Sequence, residues 1–403
     1  MTPCLHEHLV RLGSCREFDP AATLLGALTG AQVTEATARR QTEAAGAILA
    51  AWQEQEVARL ERECPPAPAG PAKQFFSADG AFVPLLHGEW AEVKTLALGE
   101  IGEPVYQEKE GEWVAPTRAL SYFSRLADAD TFGRLALVET QRRGTESAGA
   151  VAAVTDGAEW VQGLIDLHRP DAVRILDFPH AAQRLAPIAQ AVWGAQSEAA
   201  TRWVVEQAKA LKEHGPAALL TAITALLEAH PEAEGLAEHV GYLQKRATQM
   251  QYPAYRAQGL PIGSGPVESA NKLVVEARLK GAGMHWERSH VDPMLALRNA
   301  VCNDRWAEAW EQIARGLREQ AGQRQAARRQ RREQAAEEAA AAAVVAPAAR
   351  EAPAKEEKPA AAGKRSTGAG AERRRPAADH PWRRFHIGRA TDPPRAVMLR
   401  AKQ

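Results

Sequence analysis

The sequence predicts an α/β protein built on a mixed sheet with flanking helices. To this it adds a helical amino-terminal region, a long all-helical stretch and a basic tail that does not fold. Three observations predict this. Short apolar runs, some alternating with period two, lie between residues 74 and 176 and are interleaved with helical patterns, the order of an α/β domain. Residues 182–250 are helical almost throughout and too long to be a loop. From about Arg324 the composition narrows to Ala, Arg, Glu, Pro and Lys, which buries too little surface to offset chain entropy.

The chain has 403 residues, 45% hydrophobic and 25% charged, room for two or three domains and normal for a folded enzyme. No run reaches the ~18 apolar residues of a membrane span, and nothing near Met1 reads as a signal peptide. Cys4, Cys15, Cys64 and Cys302 are too few for a disulfide framework, so a cytoplasmic protein is expected. A formal net charge of zero hides a partition, because residues 321–403 carry nineteen Lys and Arg against nine Asp and Glu. A segregated basic tail of this kind is drawn to phosphates even when the whole chain is neutral.

Taken in order, residues 1–63 read as helical. A short helix ends at Gly30, and Thr34 is placed to cap a second helix that carries Arg39 and Arg40. This is the outline of a helix-turn-helix and equally of a plain helical hairpin. A Pro-rich linker occupies 64–73. Strands are expected at 74–86, 90–98, 119–124, 150–155 and 172–176, with a helix at 131–142. The helical region 182–255 shows its period in Leu185, Ile188, Ala189 and Val192, and again in Leu219, Ile223 and Leu226. Further helices follow at 266–280 and 291–319. A helical extension and linker is expected over 321–379, and a basic aromatic segment containing Trp382 and Phe385 over 380–403.

Three carboxylates carry chemical interest, each beside a plainer explanation. Asp79-Gly80 between apolar runs is a hairpin-turn signal, yet Pro84 and two leucines prolong the strand, and a carboxylate inside a strand needs a compensating charge or metal. Asp156 ends a strand and enters a helix, where ligands bind in α/β sheets and where an N-cap also belongs. Glu268 falls in the first turn of the helix opened by Pro266, a position favoured for structural reasons, with Lys272 one turn on. Asp177 ends another strand, with His180 three residues later.

Together these segments resemble the DDE transposases of bacterial insertion sequences, of the ISKra type near the Mutator-like branch. The matching pieces are Asp79-Gly-Ala, Thr155-Asp-Gly-Ala-Glu-Trp160, Ile175-Leu-Asp-Phe-Pro-His-Ala181 and Gly263-Ser-Gly-Pro-Val-Glu-Ser269. The run from Lys272 to Trp286 and His380-Pro-Trp-Arg-Arg384 complete the ordered set. The resemblance implies an RNase H-like catalytic core, residues 74–181 and 256–320, interrupted by the helical insertion 182–255. It implies a catalytic triad of Asp79, Asp156 and Glu268 holding two Mg²⁺ or Mn²⁺ ions, with Asp177 and His180 as accessory residues. Hard cations want carboxylate oxygens, and a pair of them serves both the attacking and the leaving oxygen at phosphorus. Arg39, Arg40, Lys272, Arg278, Lys280 and Arg288 are the candidate phosphate contacts. The implied partners are transposon-end and target DNA, at the bacterial nucleoid, bound by a homo-oligomer. The chain departs from the family at its front: Cys4, His6, His8 and Cys15 do not make a complete zinc-binding unit. A DNA-binding regulator that does not cut, and a nuclease without strand transfer, are the competing expectations.

Overall fold

The computed structural model describes residues 1–108, 111–195 and 197–345. It divides into a body, Met1–Gln334, and a second unit beginning at Ala335, of which the described part is helical. The body is mixed α/β. Its strands are β1 (Lys73–Pro84), β2 (Trp90–Ile101), β3 (Val105–Gln107), β4 (Glu112–Val114), β5 (Thr117–Arg125), β6 (Ala150–Thr155) and β7 (Val173–Leu176). Five of them form one sheet in the order β5-β2-β1-β6-β7, while β3 and β4 pair separately as a hairpin. β5, β2 and β1 are antiparallel each to the next, and β6 and β7 run parallel to β1.

Helices α1 (Pro3–Cys15), α2 (Phe18–Thr29) and α3 (Glu35–Glu63) precede the sheet. Thr34 caps α3 by accepting from the Thr37 N–H, as its position predicts, and Gly30 takes a φ of 73° to end α2. α3 is 29 residues long, however, and its Ala45, Leu49 and Ala50 pack on Leu297, Trp306 and Ile313. It is a scaffold helix that leaves Arg39 and Arg40 exposed on its first turns, not the short second element of an isolated helical pair.

α4 (Ala129–Arg142) and α5 (Glu159–His168) cover one face of the sheet. Alternation along β1 sends Phe76 and Ala78 to that face, where they meet Phe132, Leu135, Val161 and Leu164. The opposite set, Phe75, Ala81 and Val83, joins the larger core. Each Phe, Leu or Val among them contributes about 1.5–3 kcal/mol on full burial. The larger core also contains Leu185, Ile188, Leu219, Ile223, Leu236 and Val240 from the helical region, so that region and the sheet share one interior.

That region comprises α6 (Phe178–Gln183), α7 (Leu185–Trp193), α8 (Glu198–His214), α9 (Pro216–Ala229), α10 (Leu236–Lys245) and α11 (Tyr252–Ala257). No strand interrupts it among the described residues. The chain then forms α12 (Gly265–Ala270), a π-helical segment Asn271–Glu276 and α13 (Ala277–Leu279). The expected helix at 291–319 is two helices, α14 (Arg288–Cys302) and α15 (Trp306–Val345). They break at Asn303, whose side chain bonds both the N–H and the C=O of Tyr122 at 2.8 Å, and at Asp304, with φ 54°.

Gly46 on α3 lies against α14, where a Cβ would stand 2.2 Å from the Pro293 carbonyl oxygen. Neither backbone can yield cheaply. Gly46→Ala is expected to destabilise the protein by about 1–3 kcal/mol, measured by chemical unfolding.

The expected strands are all present, and Asp79-Gly80 is strand interior, not a turn, since β1 pairs with β2 on both sides of it, from Gln74↔Glu100 to Pro84↔Trp90. The β3–β4 hairpin was not expected. The basic segment 380–403 and residues 346–379 lie outside the described residues. No helix among the described residues is long and apolar enough to cross a membrane.

Candidate active site

Strand register builds the site. β1 pairs with β6 as far as Phe76↔Ala153, and β6 pairs with β7 as far as Thr155↔Leu176. Continuing the first register three residues brings Asp79 level with Asp156, and the second by one residue brings Asp156 level with Asp177. Three aspartates therefore share one level across three parallel strands. Asp79 keeps the parity of Phe75 and Ala81, and Asp156 that of Ala152 and Val154, so both belong to the face covered by Val267, Ala270 and Val274.

Asp79 is half-buried. One carboxylate oxygen accepts the Gly80 N–H at 2.7 Å and the other accepts Nδ2 of Asn271 at 2.9 Å. Burial pushes its pKa above the ordinary value and the charge of Asp156 adds to the rise, against the Gly80 N–H, His180 and Asn271. Asp156 accepts the Ala158 N–H at 2.8 Å, turning the chain into α5 without itself being the cap residue.

Asp177 is fully buried and fully used. One oxygen accepts the Ser264 N–H at 2.6 Å. The other accepts the His180 N–H at 2.9 Å and His180 Nδ1 at 2.6 Å. Burial opposes its ionisation, but these bonds together hold its pKa below the ordinary value. The same bond raises His180, against burial, with the charges of Asp177, Asp156 and Asp79 helping. Nδ1 carries the proton, so the ring is oriented and biased toward a positive charge beside two carboxylates.

The insertion helices fix the strand ends. The Tyr242 hydroxyl donates to the Asp156 carbonyl, and Arg246 donates to the Gly157 carbonyl, through Nη2 at 2.6 Å. Tyr242 is itself flanked by two guanidinium groups, Arg246 at 3.9 Å and Arg184 at 4.3 Å from the ring centroid. Gly157 has φ 80°, and a Cβ there would meet Arg246 Nε at 2.3 Å, so only glycine fits. Tyr242→Phe removes one hydrogen bond and is expected to cost about 1 kcal/mol in thermal or urea unfolding.

Glu268 is exposed on α12, three residues before Asn271, which puts the two on neighbouring positions of one helix face. The structure thus brings Asp79, Asp156, Asp177 and His180 together and leaves Glu268 at the rim. Among the described residues no three His, Cys, Asp or Glu side chains are grouped to hold a metal ion. Of the three expected ligands the structure brings Asp79 and Asp156 together, an oxygen-only pair whose mutual repulsion a hard cation would relieve.

Of the expected phosphate contacts, Arg39, Arg40, Lys272, Lys280 and Arg288 are exposed, with Lys280 bonded to Glu276 at 2.9 Å. Arg278 is corrected. It is 2% exposed, donates Nε to the Gly13 carbonyl at 2.9 Å and lies over the rings of Phe18 and Trp286 at 4.6 and 5.1 Å. Burial, with the charge of Arg298, lowers its pKa to about 10. It holds α1 and α2 to the core and is too little exposed to be a surface phosphate contact.

No protein-family model matches the chain, and no curated protein matches it. The chemistry therefore rests on the site alone. A half-buried carboxylate pair, a histidine with a fixed proton and a carboxylate on the adjoining helix suit proton handling and the binding of a hard cation. Asn271, Ser264, Tyr242 and Arg246 were missed in the sequence. Only Asn271 left a signal there, one helical turn beyond Glu268.

Proposed function

We propose that the chain is a DDE transposase of the ISKra type, which cleaves DNA strands at the ends of an insertion sequence and joins them to a target. The observation that carries this reading is the level of Asp79 and Asp156 on neighbouring parallel strands, facing the helix that bears Glu268. The sheet order, with an antiparallel trio followed by two strands parallel to the first, is compatible with an RNase H-like core.

In this reading Asp79, Asp156 and Glu268 would hold Mg²⁺ or Mn²⁺, which supplies activation of the attacking hydroxyl and stabilisation of the leaving 3′ oxygen. Asn271 orients the Asp79 carboxylate. Asp177 keeps the His180 proton at Nδ1 and its positive charge near the reacting phosphate. Tyr242 and Arg246 immobilise the backbone that carries Asp156. The partners would be transposon-end and target DNA, bound by more than one copy of the chain, in the cytoplasm at the nucleoid. The exposed position of Glu268 favours one alternative, a DNA-binding regulator that does not cut.

The test is incubation of the full chain with Mg²⁺ and DNA carrying the sequences that flank its own gene. Cleaved and joined strands, absent with a chelator, support the transposase. Cleavage without joining identifies a nuclease, and binding alone identifies the regulator.

A further inference from the structure

We infer that a groove beside the carboxylates seats an unpaired nucleobase, with Trp113 as its stacking platform. The inference rests on the reading above that the substrate is DNA. It starts from a residue the fold does not use. Trp113 on β4 is 62% exposed, and Tyr106 on β3, edge-on to it at 5.7 Å between ring centroids, is 49% exposed. An isolated two-stranded hairpin is marginal in water. This one is tethered at its turn end by Glu112, which bonds Lys212 of α8 at 2.7 Å and Arg256 of α11 at 3.1 Å. The tether sets the indole at the mouth of a groove of about 390 Å³, within the ~300–1,000 Å³ that takes a small planar ligand.

Pro116, Phe178, Pro179, Pro261 and Pro266 are among the residues that line that groove. These are flat, stiff apolar faces. Phe178 is held by an edge-on contact with Tyr252 at 5.3 Å. Two cations share the single carboxylate of Glu112, so the wall carries an excess of one positive charge, suited to the phosphate that accompanies a base. The groove adjoins the candidate site along the chain: Pro179 immediately precedes His180, and Pro266 lies two residues before Glu268. A base within a duplex has both faces covered by its neighbours. Only an unpaired one can lie on the indole, and such stacking is worth about 1–3 kcal/mol per base without sequence preference.

The test uses the full chain in chelator, without cleavage. Binding of a fluorescent single-stranded oligonucleotide is expected to weaken about 5- to 150-fold in Trp113→Ala and to be largely kept in Trp113→Phe. Duplex binding should be the same in both variants as in the wild type. A single strand carrying one 2-aminopurine should be quenched by the wild-type protein and not by Trp113→Phe to the same degree. This second readout carries the test should Trp113→Ala lose its native circular-dichroism spectrum. Unchanged single-strand affinity in Trp113→Ala, an unquenched probe, or a changed oligomeric mass, which would make the indole a protein contact, each overturns the inference. Failure of the transposase reading looks different: no cleavage with Mg²⁺, while the single-strand affinity still depends on Trp113.

Discussion

Asp79→Asn is expected to lower Mg²⁺-dependent strand cleavage at least about 10²-fold while making the metal-free protein more stable. The two effects have one origin. Asp79 is ionised only against burial and against the charge of Asp156, a cost that a bound cation would offset. The amide keeps the shape and the bond from the Gly80 N–H. Its new N–H also finds an acceptor, because Asn271 Oδ1 is buried and without a hydrogen-bond partner, and a flip of that amide presents it. A gain of about 0.5–2 kcal/mol is expected by differential scanning fluorimetry in chelator. The pH dependence follows in sign. An acid whose folded pKa is raised binds its proton more tightly when folded, so the wild type gains stability relative to Asp79→Asn as pH falls from neutral through that raised value. Retained cleavage in Asp79→Asn would remove Asp79 from the site, and a lowered melting temperature would refute the repulsion.

Asp177→Ala is expected to be the most destabilising substitution in the site, at about 3–5 kcal/mol. It strips the acceptor from the Ser264 N–H, the His180 N–H and the His180 ring at once, three bonds that tie β7, α6 and the approach to α12. Asp177 has a lowered pKa, so its contribution is present above the unfolded value of 3.8 and is lost as pH falls through the folded one. His180 has a raised pKa, so its contribution is present below 6.5 and is lost as pH rises through the folded value. The gap between wild type and Asp177→Ala in urea unfolding should therefore be widest between about pH 4 and 6.5 and narrower at pH 9. A gap that widened steadily into the alkaline range would contradict the coupling.

The strands were legible because their side chains alternate or run apolar between turn residues, and the helical region because Leu185, Ile188 and Val192 keep helical spacing. Asp79 was ambiguous for a physical reason: Asp-Gly favours a turn locally, and only the pairing of β2 through Thr95 and Lys94 holds it extended. The β3–β4 hairpin is three residues on each side and exposed, so it leaves no periodic trace. Arg278 read as surface because charge usually does. What buries it, Phe18 and Trp286, is distant or unremarkable in sequence and assembles only in the fold. Asp156, Asp177 and His180 were found by their places at or just past strand ends and Asp79 as a carboxylate inside an apolar strand, whereas the clamp of Tyr242 and Arg246 depends on how α10 meets those ends.

The π-helical segment has a consequence for how one rod can serve two clients. Asn271 reaches into the sheet to Asp79, and Arg278, seven residues later, reaches Gly13 on α1. In an uninterrupted α-helix, residues seven apart point almost the same way, to within about 20°. The looser turn of Asn271–Glu276 holds back about one residue of twist, roughly 100°, and lets the two side chains diverge. Deleting Leu273, an exposed residue of the segment, would restore α-helical phase and force a choice between those clients. A one-residue indel here acts as a rotation of the chemistry against the scaffold, and so marks a place where related chains could exchange orientation for stability in a single step.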